Sequence, residues 1–361
     1  MVKICFFSGD ITRSGGTERV STMIANELAR QGQFEVCFLS LCEQKDSPFF
    51  YIDDNIKQYK LGERWIQPGL AYLPIIPKLR RFLKEKAIDI IIDIDIVLDC
   101  LSIPASRGLK IKVVSWEHFN CDYELTVSYR RFILKNITKR ADYIITLTEG
   151  DKVRYGQVIG CAEKIEAIYN PMKERIVSYE GEKKKWIVTA VRLVYDKGID
   201  YLTEIASKVL LRYPDWKWFV LGEGDERKKL EACIQEYGLE GRLVVPGLVD
   251  CVDEYLSKAK LFVLTSRVEG LPMCLLEAKT YKLPCISFNI PTGPDEIIED
   301  EISGYLVEPF DCEKMINRIS ELVENEVLLS SFADRTKNNI YKFQMTSIME
   351  KWNRVLKGLC E

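Results

Sequence analysis

Residues 261–278 read LFVLTSRVEGLPMCLLEA, and they contain a strand, a turn and the start of a helix in that order. Leu261–Thr265 is a short apolar run, typical of a parallel strand that is covered on both faces. Pro272 suits the first turn of a helix, and the apolar residues after it continue that helix. The stretch therefore predicts one strand–turn–helix unit of an α/β protein.

The same alternation extends in both directions from this unit. Helix patterns such as Val20, Met23, Ile24 and Leu28 lie between short β-branched runs. We predict strands at Val2–Phe7, Glu35–Leu41, Ile88–Ile92, Lys112–Ser115, Tyr143–Leu147, Ile165–Tyr169, Trp186–Val191, Trp216–Leu221, Arg242–Val245, Leu261–Thr265 and Pro284–Phe288. Regular alternation of this kind implies open, parallel, doubly wound sheets.

Length and local breaks indicate two domains. A chain of 361 residues is expected to contain about two. Pro171 ends the strand before it, and the polar stretch Glu180–Lys185 precedes a new strand. We place the boundary between residues 170 and 186. The last helix, Gln344–Leu359, follows the second strand series and could pack on either domain.

Composition excludes several classes of function. The net charge of −3 argues against binding nucleic acid by charge alone. A single histidine, His118, excludes a metal site built on several imidazoles. The twelve cysteines contain no CxxC pair, which predicts reduced thiols in a cytoplasmic protein. No segment has the ~20 apolar residues needed to span a bilayer, and Met1–Phe7 is too short for a signal peptide.

Two candidate sites follow strands of the first domain. Gly15 and Gly16 lie between the first strand and its helix, where glycines allow a ligand to approach and a helix N-terminus attracts an anion. His118 follows the strand that ends at Ser115, and ligands bind at such carboxyl ends in open α/β sheets. The alternatives are a tight strand–helix connection and a structural histidine.

Cations and a carboxylate follow strands of the second domain. Arg192 and Lys197 flank a strand–helix loop, where two cations could hold a diphosphate or where the turn could simply be solvated. The backbone of Gly270 and Leu271 would direct N–H groups at a phosphate. Glu277 lies in an apolar helix, where an unpaired carboxylate is costly. It would chelate a polyol such as a ribose, or pair with a nearby cation.

Two further motifs stay ambiguous at the level of sequence. The Thr292–Gly293 backbone could contact a ligand beside Glu269. The alternative is that the acidic residues in the turn that follows simply complement a helix dipole. Asp93-Ile94-Asp95 forms the D-x-D pattern of metal-dependent sugar transferases. Nothing else nearby indicates a metal, so we predict no metal site and no cofactor.

These motifs, in this order, resemble glycosyltransferase family 4, the retaining GT-B enzymes, and its bacterial surface-polysaccharide members in particular. The resemblance is carried by Gly15-Gly16-Thr17-Glu18-Arg19, His118, Arg192 with Lys197-Gly198, Gly222-Glu223-Gly224, Glu269-x7-Glu277 and Thr292–Ile298. It implies two Rossmann-like domains facing each other across a cleft. Residues 1–170, with the helix from about 342 to 361, would bind the acceptor, and residues 171–341 would bind a nucleotide-sugar donor.

The resemblance also implies roles for single residues. Glu277 would hold the ribose, and Arg192 and Lys197 the diphosphate. Glu269 and the Thr292–Glu296 turn would face the donor sugar. His118 would reach that sugar from the first domain, where Gly16 would lie near the phosphates and the acceptor. The base would meet Gly247 and Leu248. Leu271 stands where the family usually has an aromatic residue.

The implied reaction is a metal-independent transfer of a hexose from a nucleoside-diphosphate sugar, with UDP the commonest nucleotide, to a glycan or polyprenyl-linked acceptor. A front-face mechanism with retention is expected. Basic segments at Lys78–Lys86 and Tyr129–Lys135 indicate either an anionic membrane surface or ordinary solvated helices. A sugar-nucleotide epimerase, a phosphorylase-like enzyme and a non-catalytic nucleotide-binding protein remain alternatives.

Overall fold

A computed structural model of the chain describes residues 1–63, 69–172 and 181–360. Two compact units are present. Unit 1 comprises Met1–Pro171 with Lys342–Glu361, and unit 2 comprises Met172–Tyr341. Residues 173–180, which fall within the predicted boundary, lie outside the described residues.

Unit 1 contains a seven-stranded parallel sheet in the order β3-β2-β1-β4-β5-β6-β7. Its strands are β1 Val2–Ser8, β2 Phe34–Ser40, β3 Lys57–Lys60, β4 Ile90–Asp93, β5 Lys112–Trp116, β6 Tyr143–Thr146 and β7 Ile165–Ala167. Its helices are α1 Gly16–Arg30, α2 Ile75–Glu85, α3 Ile96–Ser106, α4 Cys121–Thr126, α5 Ser128–Asn136 and α6 Glu149–Ile159, joined by α14 Met345–Gly358. Strand β4 is buried throughout and β1 is buried from Ile4 onward, which explains their largely apolar sequence.

The last helix belongs to unit 1. Lys351 Nζ donates to the carbonyl of Ala167 at 2.8 Å, and Asn353 donates to the Gln31 side chain at 2.8 Å. Trp352 is fully buried and packs edge-on to Trp116, with ring centroids 4.9 Å apart. The chain therefore returns to its first unit after the second is complete.

Unit 2 contains a six-stranded parallel sheet in the order β10-β9-β8-β11-β12-β13. Its strands are β8 Trp186–Ala190, β9 Lys217–Leu221, β10 Leu243–Gly247, β11 Leu261–Leu264, β12 Cys285–Phe288 and β13 Gly304–Val307. Its helices are α7 Ile199–Arg212, α8 Arg227–Tyr237, α9 Asp253–Lys258, α10 Met273–Thr280, α11 Pro294–Ile297, α12 Cys312–Glu324 and α13 Glu326–Arg335. A 3₁₀ turn, Tyr195–Lys197, precedes α7.

All eleven predicted strands are confirmed, and no strand end is displaced by more than two residues. The strands β3 and β13 were not predicted. The sequence of β3 is polar and it lies at the sheet edge, and β13 begins at a glycine. The structure contains all twelve cysteines as free thiols, and Cys360 is the exposed one. Among the described residues, none of the helices combines the length and hydrophobicity that crossing a membrane requires.

Candidate active site

The strand order of unit 2 creates a switch point between β8 and β11. The chain leaves β8 toward β9 on one side, and β11 continues toward β12 on the other. Ligand crevices form at the carboxyl ends of strands at such a point. Lys197 lies in the loop after β8 and Glu269 in the loop after β11. Lys197 Nζ is 2.6 Å from Glu269 Oε1, and the two side chains are only 16% and 11% exposed.

The turns after β11 and β12 are in direct contact. Ser266 Oγ donates to Glu269 Oε1 at 2.7 Å, and Thr292 Oγ1 donates to the Glu269 carbonyl at 2.9 Å. Gly293 has a φ of 103°, and a Cβ there would lie 2.6 Å from the Gly270 carbonyl oxygen. Only glycine allows this close approach without strain. The structure thus brings Glu269, Gly270, Thr292 and Gly293 together, as the sequence predicts.

Helix α10 begins beside this turn. Glu277 is half-buried on this helix, and Leu271 is buried, so the Leu271 side chain belongs to the packed interior. The thiol of Cys274, in the first turn of α10, is affected electrostatically by Glu269, Glu277 and Lys197. Its pKa is raised by burial first and then by Glu269 and Glu277, whereas Lys197 opposes the shift. The two carboxylates and the lysine therefore lie close enough to Cys274 to influence its ionisation.

Two basic residues of unit 2, Arg192 and Lys279, have different surroundings. Arg192 is exposed, and its side chain makes no hydrogen bond or ion pair within the described ranges. It is free to meet an anion. Lys279 is 2% exposed and donates to the Ile297 carbonyl at 2.6 Å. Lys279 thereby ties α10 to the end of α11, the short helix that carries half-buried Glu296.

The loop after β9 is hydrogen-bonded both to the end of β10 and to the loop after β8. The Gly222 N–H donates to the Gly247 carbonyl at 2.9 Å, and the Leu193 N–H donates to the Glu223 carbonyl at 2.8 Å. Gly247 has a φ of 84°, and Leu248 beside it is 81% exposed. An exposed apolar side chain at this edge offers a contact for a flat ring such as a nucleobase.

In unit 1, Gly15 caps α1 and Gly16 is its first residue. The Glu18 carboxylate lies over Gly15 and would have to move aside for a Cβ there, and burial raises the pKa of Glu18. A Cβ on Gly16 would meet no described atom within 4 Å. The packing of the protein therefore does not require glycine at position 16.

His118 follows β5 and its ring packs on Trp116, with centroids 4.5 Å apart. Burial lowers the pKa of His118 to about 3, so the imidazole is neutral at pH 7. Its buried Nε2 has no hydrogen-bond partner among the described residues. A neutral imidazole in this state suits hydrogen bonding to a ligand better than accepting a proton.

The D-x-D residues are used within the protein. Asp93 is buried and accepts from the Ser102 hydroxyl, and burial next to Asp99 raises the pKa of Asp93 well above its usual range. Asp95 caps α3 and pairs with Arg130 at 2.9 Å. In the part of the chain that the structure describes, no cluster of histidine, cysteine and carboxylate side chains is arranged to hold a metal ion.

Several residues of this edge were missed by sequence reasoning. Arg267 and Ser266 lie inside the motif quoted first, and Asp200 lies in the first turn of α7. Arg267 forms a two-bond pair with Asp200. The sequence signal for Arg267 was its position as a charged residue between a strand and a glycine turn. Its partner Asp200 could not be recognised in the same way, because it lies 67 residues away.

Comparison with known proteins identifies the family. The model described as Glycosyltransferase Family 4 matches residues 14–174, and the model described as Glycosyl transferases group 1 matches residues 172–343. A Haemophilus influenzae protein named as an uncharacterized glycosyltransferase is 30% identical over 360 residues, which cover 99% of this chain and 100% of that protein. The chain belongs to glycosyltransferase family 4.

Two further comparisons extend over nearly the whole glycosyltransferase. The Escherichia coli lipopolysaccharide 1,6-galactosyltransferase is 28% identical over 371 residues, covering 98% of each chain. The Staphylococcus aureus TarM variant solved with fondaparinux, alpha-GlcNAc-glycerol and UDP matches with a TM-score of 0.80 at 19% identity, covering 98% of this chain and 99% of that one. This similarity confirms the predicted GT-B fold of two parallel α/β units.

Proposed function

We propose that this glycosyltransferase moves a hexose-type sugar from a UDP-sugar to a hydroxyl of a glycan or polyprenyl-linked saccharide, with retention, in cell-surface polysaccharide synthesis. The observation that carries the proposal is the half-buried Lys197–Glu269 pair at the switch point of the unit 2 sheet. UDP in the TarM complex and the lipopolysaccharide substrate named for the E. coli relative support the choice of nucleotide and acceptor class.

The donor nucleotide is held by unit 2. Glu277, half-buried on α10, accepts hydrogen bonds from the two ribose hydroxyls, and Leu248 packs on the base. Arg192 is exposed and free to bind the diphosphate together with Lys197. The backbone N–H groups of Gly270 and Leu271 lie at the start of α10, where a helix N-terminus favours anions. The donor sugar is held by Glu269 and by the turn from Thr292 to Glu296.

The reaction exchanges one bond at the anomeric carbon. The bond from that carbon to the β-phosphate oxygen breaks, and a bond to the acceptor oxygen forms on the same face of the sugar. The acceptor proton passes to the leaving diphosphate. Negative charge grows on the diphosphate as the bond breaks, and Arg192 and Lys197 stabilise that charge.

The acceptor is held by unit 1. Gly16 leaves open space at the start of α1, and Gly15 caps that helix. The His118 imidazole is neutral, and burial keeps it so well below pH 7. It therefore serves as a hydrogen-bonding group for a sugar hydroxyl, whereas the leaving diphosphate accepts the acceptor proton.

Turnover is expected to be unchanged in excess EDTA, because lysine and arginine supply the positive charge that a divalent ion supplies in other transferases. The measurement is UDP release with and without EDTA at equal ionic strength. Full loss of activity that manganese restores would contradict metal independence and would favour a metal site at Asp93 and Asp95.

We also propose that unit 1 contacts an anionic membrane surface. On α5, Arg131 and Lys135 are exposed and flank Phe132, which is 61% exposed. Arg130 belongs to the basic segment Tyr129–Lys135 of the sequence, but it is buried and paired with Glu124 and Asp95. It is therefore not available to lipid. On α2, Lys78 and Lys84 are exposed.

Vesicle flotation tests this contact. The protein is expected to float with vesicles containing anionic lipid and to dissociate as salt rises, because each basic residue contributes about 1 kcal/mol at such a surface. Charge reversal of Arg131 and Lys135 should abolish flotation. Equal behaviour with neutral and anionic vesicles would remove the proposal.

A donor screen tests the proposed function. Nucleoside-diphosphate sugars are incubated with the protein, with and without a lipid-linked saccharide extract, and released nucleoside diphosphate is measured. UDP release that depends on acceptor, with an α-linked product from an α-linked donor by NMR, is expected. Conversion of the donor to its epimer, phosphate-dependent cleavage, or nucleotide binding without turnover would contradict the transferase assignment in three distinguishable ways.

A further inference from the structure

Arg267 makes several hydrogen bonds and ring contacts near the proposed donor site. Its Nη1 and Nη2 donate to the two carboxylate oxygens of Asp200 at 2.8 and 2.5 Å, and Nη1 also donates to the Tyr195 carbonyl at 2.8 Å. The guanidinium also contacts two aromatic rings, and its Cζ lies 4.1 Å from the Tyr195 centroid and 4.3 Å from the Tyr201 centroid. Its side chain is only 12% exposed.

The same residue joins two loops through its backbone. The Arg267 N–H donates to the Asp196 carbonyl at 2.8 Å, and the Thr265 hydroxyl donates to the Lys197 carbonyl at 3.2 Å. The turn Tyr195–Lys197 is thereby fixed to the segment after β11. Lys197 ends that turn and Glu269 lies two residues after Arg267, so both members of the ion pair depend on this junction.

The charge of Arg267 is already neutralised. Hydrogen bonding to the guanidinium lowers the pKa of Asp200, so the carboxylate remains ionised beside it at neutral pH. The donor groups of Arg267 point at Asp200 and Tyr195, whereas Arg192 is exposed and without a side-chain partner in the described ranges. Arg267 is therefore poorly suited to bind a phosphate and well suited to hold the loops that do.

We propose that Arg267 is a positioning residue, which clamps Tyr195 and Asp200 so that Lys197 stays aligned with Glu269 and with the departing diphosphate. This inference rests on the proposed function. A cation that stabilises a leaving group works only when it is held in place before the reaction, because a loose one must be reorganised during the step.

The experiment compares five variants of the full chain: Arg267→Gln, Arg267→Lys, Lys197→Ala, the Arg267→Gln/Lys197→Ala double variant, and Arg212→Gln as a matched control. Arg212 lies at the other end of α7, where it pairs with Glu324 at 2.9 Å and packs on Tyr213. Calorimetry with UDP gives the binding stoichiometry, which reports the folded fraction, and donor kinetics give kcat and KM.

Arg267→Gln is expected to lower kcat at least tenfold, to change the donor KM less than threefold, and to leave the UDP stoichiometry unchanged. Arg267→Lys should recover only part of kcat, since an ammonium cannot form the planar two-bond pair. The double variant should be no slower than Lys197→Ala alone, because Arg267 acts through Lys197. Arg212→Gln should match the wild type.

Wild-type kcat in Arg267→Gln would overturn the proposal. So would losses that multiply in the double variant, because a purely structural role is independent of Lys197. A wild-type protein that binds UDP-sugar but never turns it over would refute the proposed function, and the inference with it. The two failures are distinguishable, because the wild type reports on the function and the variants report on Arg267.

Discussion

Lys197→Ala is expected to lower turnover by about 10²- to 10³-fold, the usual cost of removing one preorganised charge-stabilising group. The ammonium is held by Glu269 at 2.6 Å and by the turn bound to Thr265 and Arg267, so it needs no reorganisation as charge develops on the diphosphate. The substitution also leaves the Glu269 carboxylate without its cation, although the Ser266 hydroxyl remains. Steady-state release of UDP measures the loss.

The control for this variant is Lys208→Ala. Lys208 also pairs with a glutamate, Glu204, at 2.8 Å, but the pair is exposed on the surface of α7. Exposed pairs contribute little to stability and nothing to a distant site, so Lys208→Ala should retain wild-type turnover. Undiminished activity in Lys197→Ala, with a circular dichroism spectrum like that of the wild type, would remove Lys197 from the chemistry.

Gly222→Ala is expected to lower the free energy of unfolding of unit 2 by about 3 kcal/mol, from the combined cost of a positive φ and of overlap with fixed backbone. Gly222 has a φ of 139°, and a Cβ there would overlap the Val191 carbonyl oxygen. The overlapped atom belongs to the backbone and not to a flexible side chain. Strands β8 and β9 must therefore separate at their carboxyl ends to admit the methyl group. Urea unfolding measures the change.

Gly238→Ala is the matched control for this substitution. Gly238 caps α8 with a φ of 59°, but a Cβ there would meet nothing within 4 Å. Only the conformational cost applies, about 1 kcal/mol. Equal unfolding midpoints for the two variants would show that the contact between Gly222 and Val191 is not a constraint on the fold.

The strand pattern could be predicted because most strands of both sheets are buried. A strand covered by helices is largely apolar, so the three isoleucines of β4 and the LFVL of β11 are evident from composition alone. The edge strand β3 reads KQYK and is largely exposed. Nothing in its composition distinguishes it from a loop, because its pairing with β2 is a backbone interaction.

The loops of the site could be predicted because topology brings them together. Lys197 and Glu269 are 72 residues apart, yet both follow strands that lie next to each other in one parallel sheet. The pairing of Arg267 with Asp200 could not be predicted in this way, since it depends on the path of two loops. The burial of Arg130 was missed for a similar reason: its partners Glu124 and Asp95 come from different elements.

Calorimetric titration with UDP, UMP and uridine separates the groups proposed to bind the diphosphate from the group proposed to bind the ribose. The wild type should bind UDP at least tenfold more tightly than UMP. Lys197→Ala should lose that preference while keeping affinity for uridine, and Glu277→Gln should weaken all three ligands alike. Equal affinity for UDP and uridine, or no binding of UDP, GDP or ADP at all, would contradict a nucleoside-diphosphate site at the switch point of unit 2.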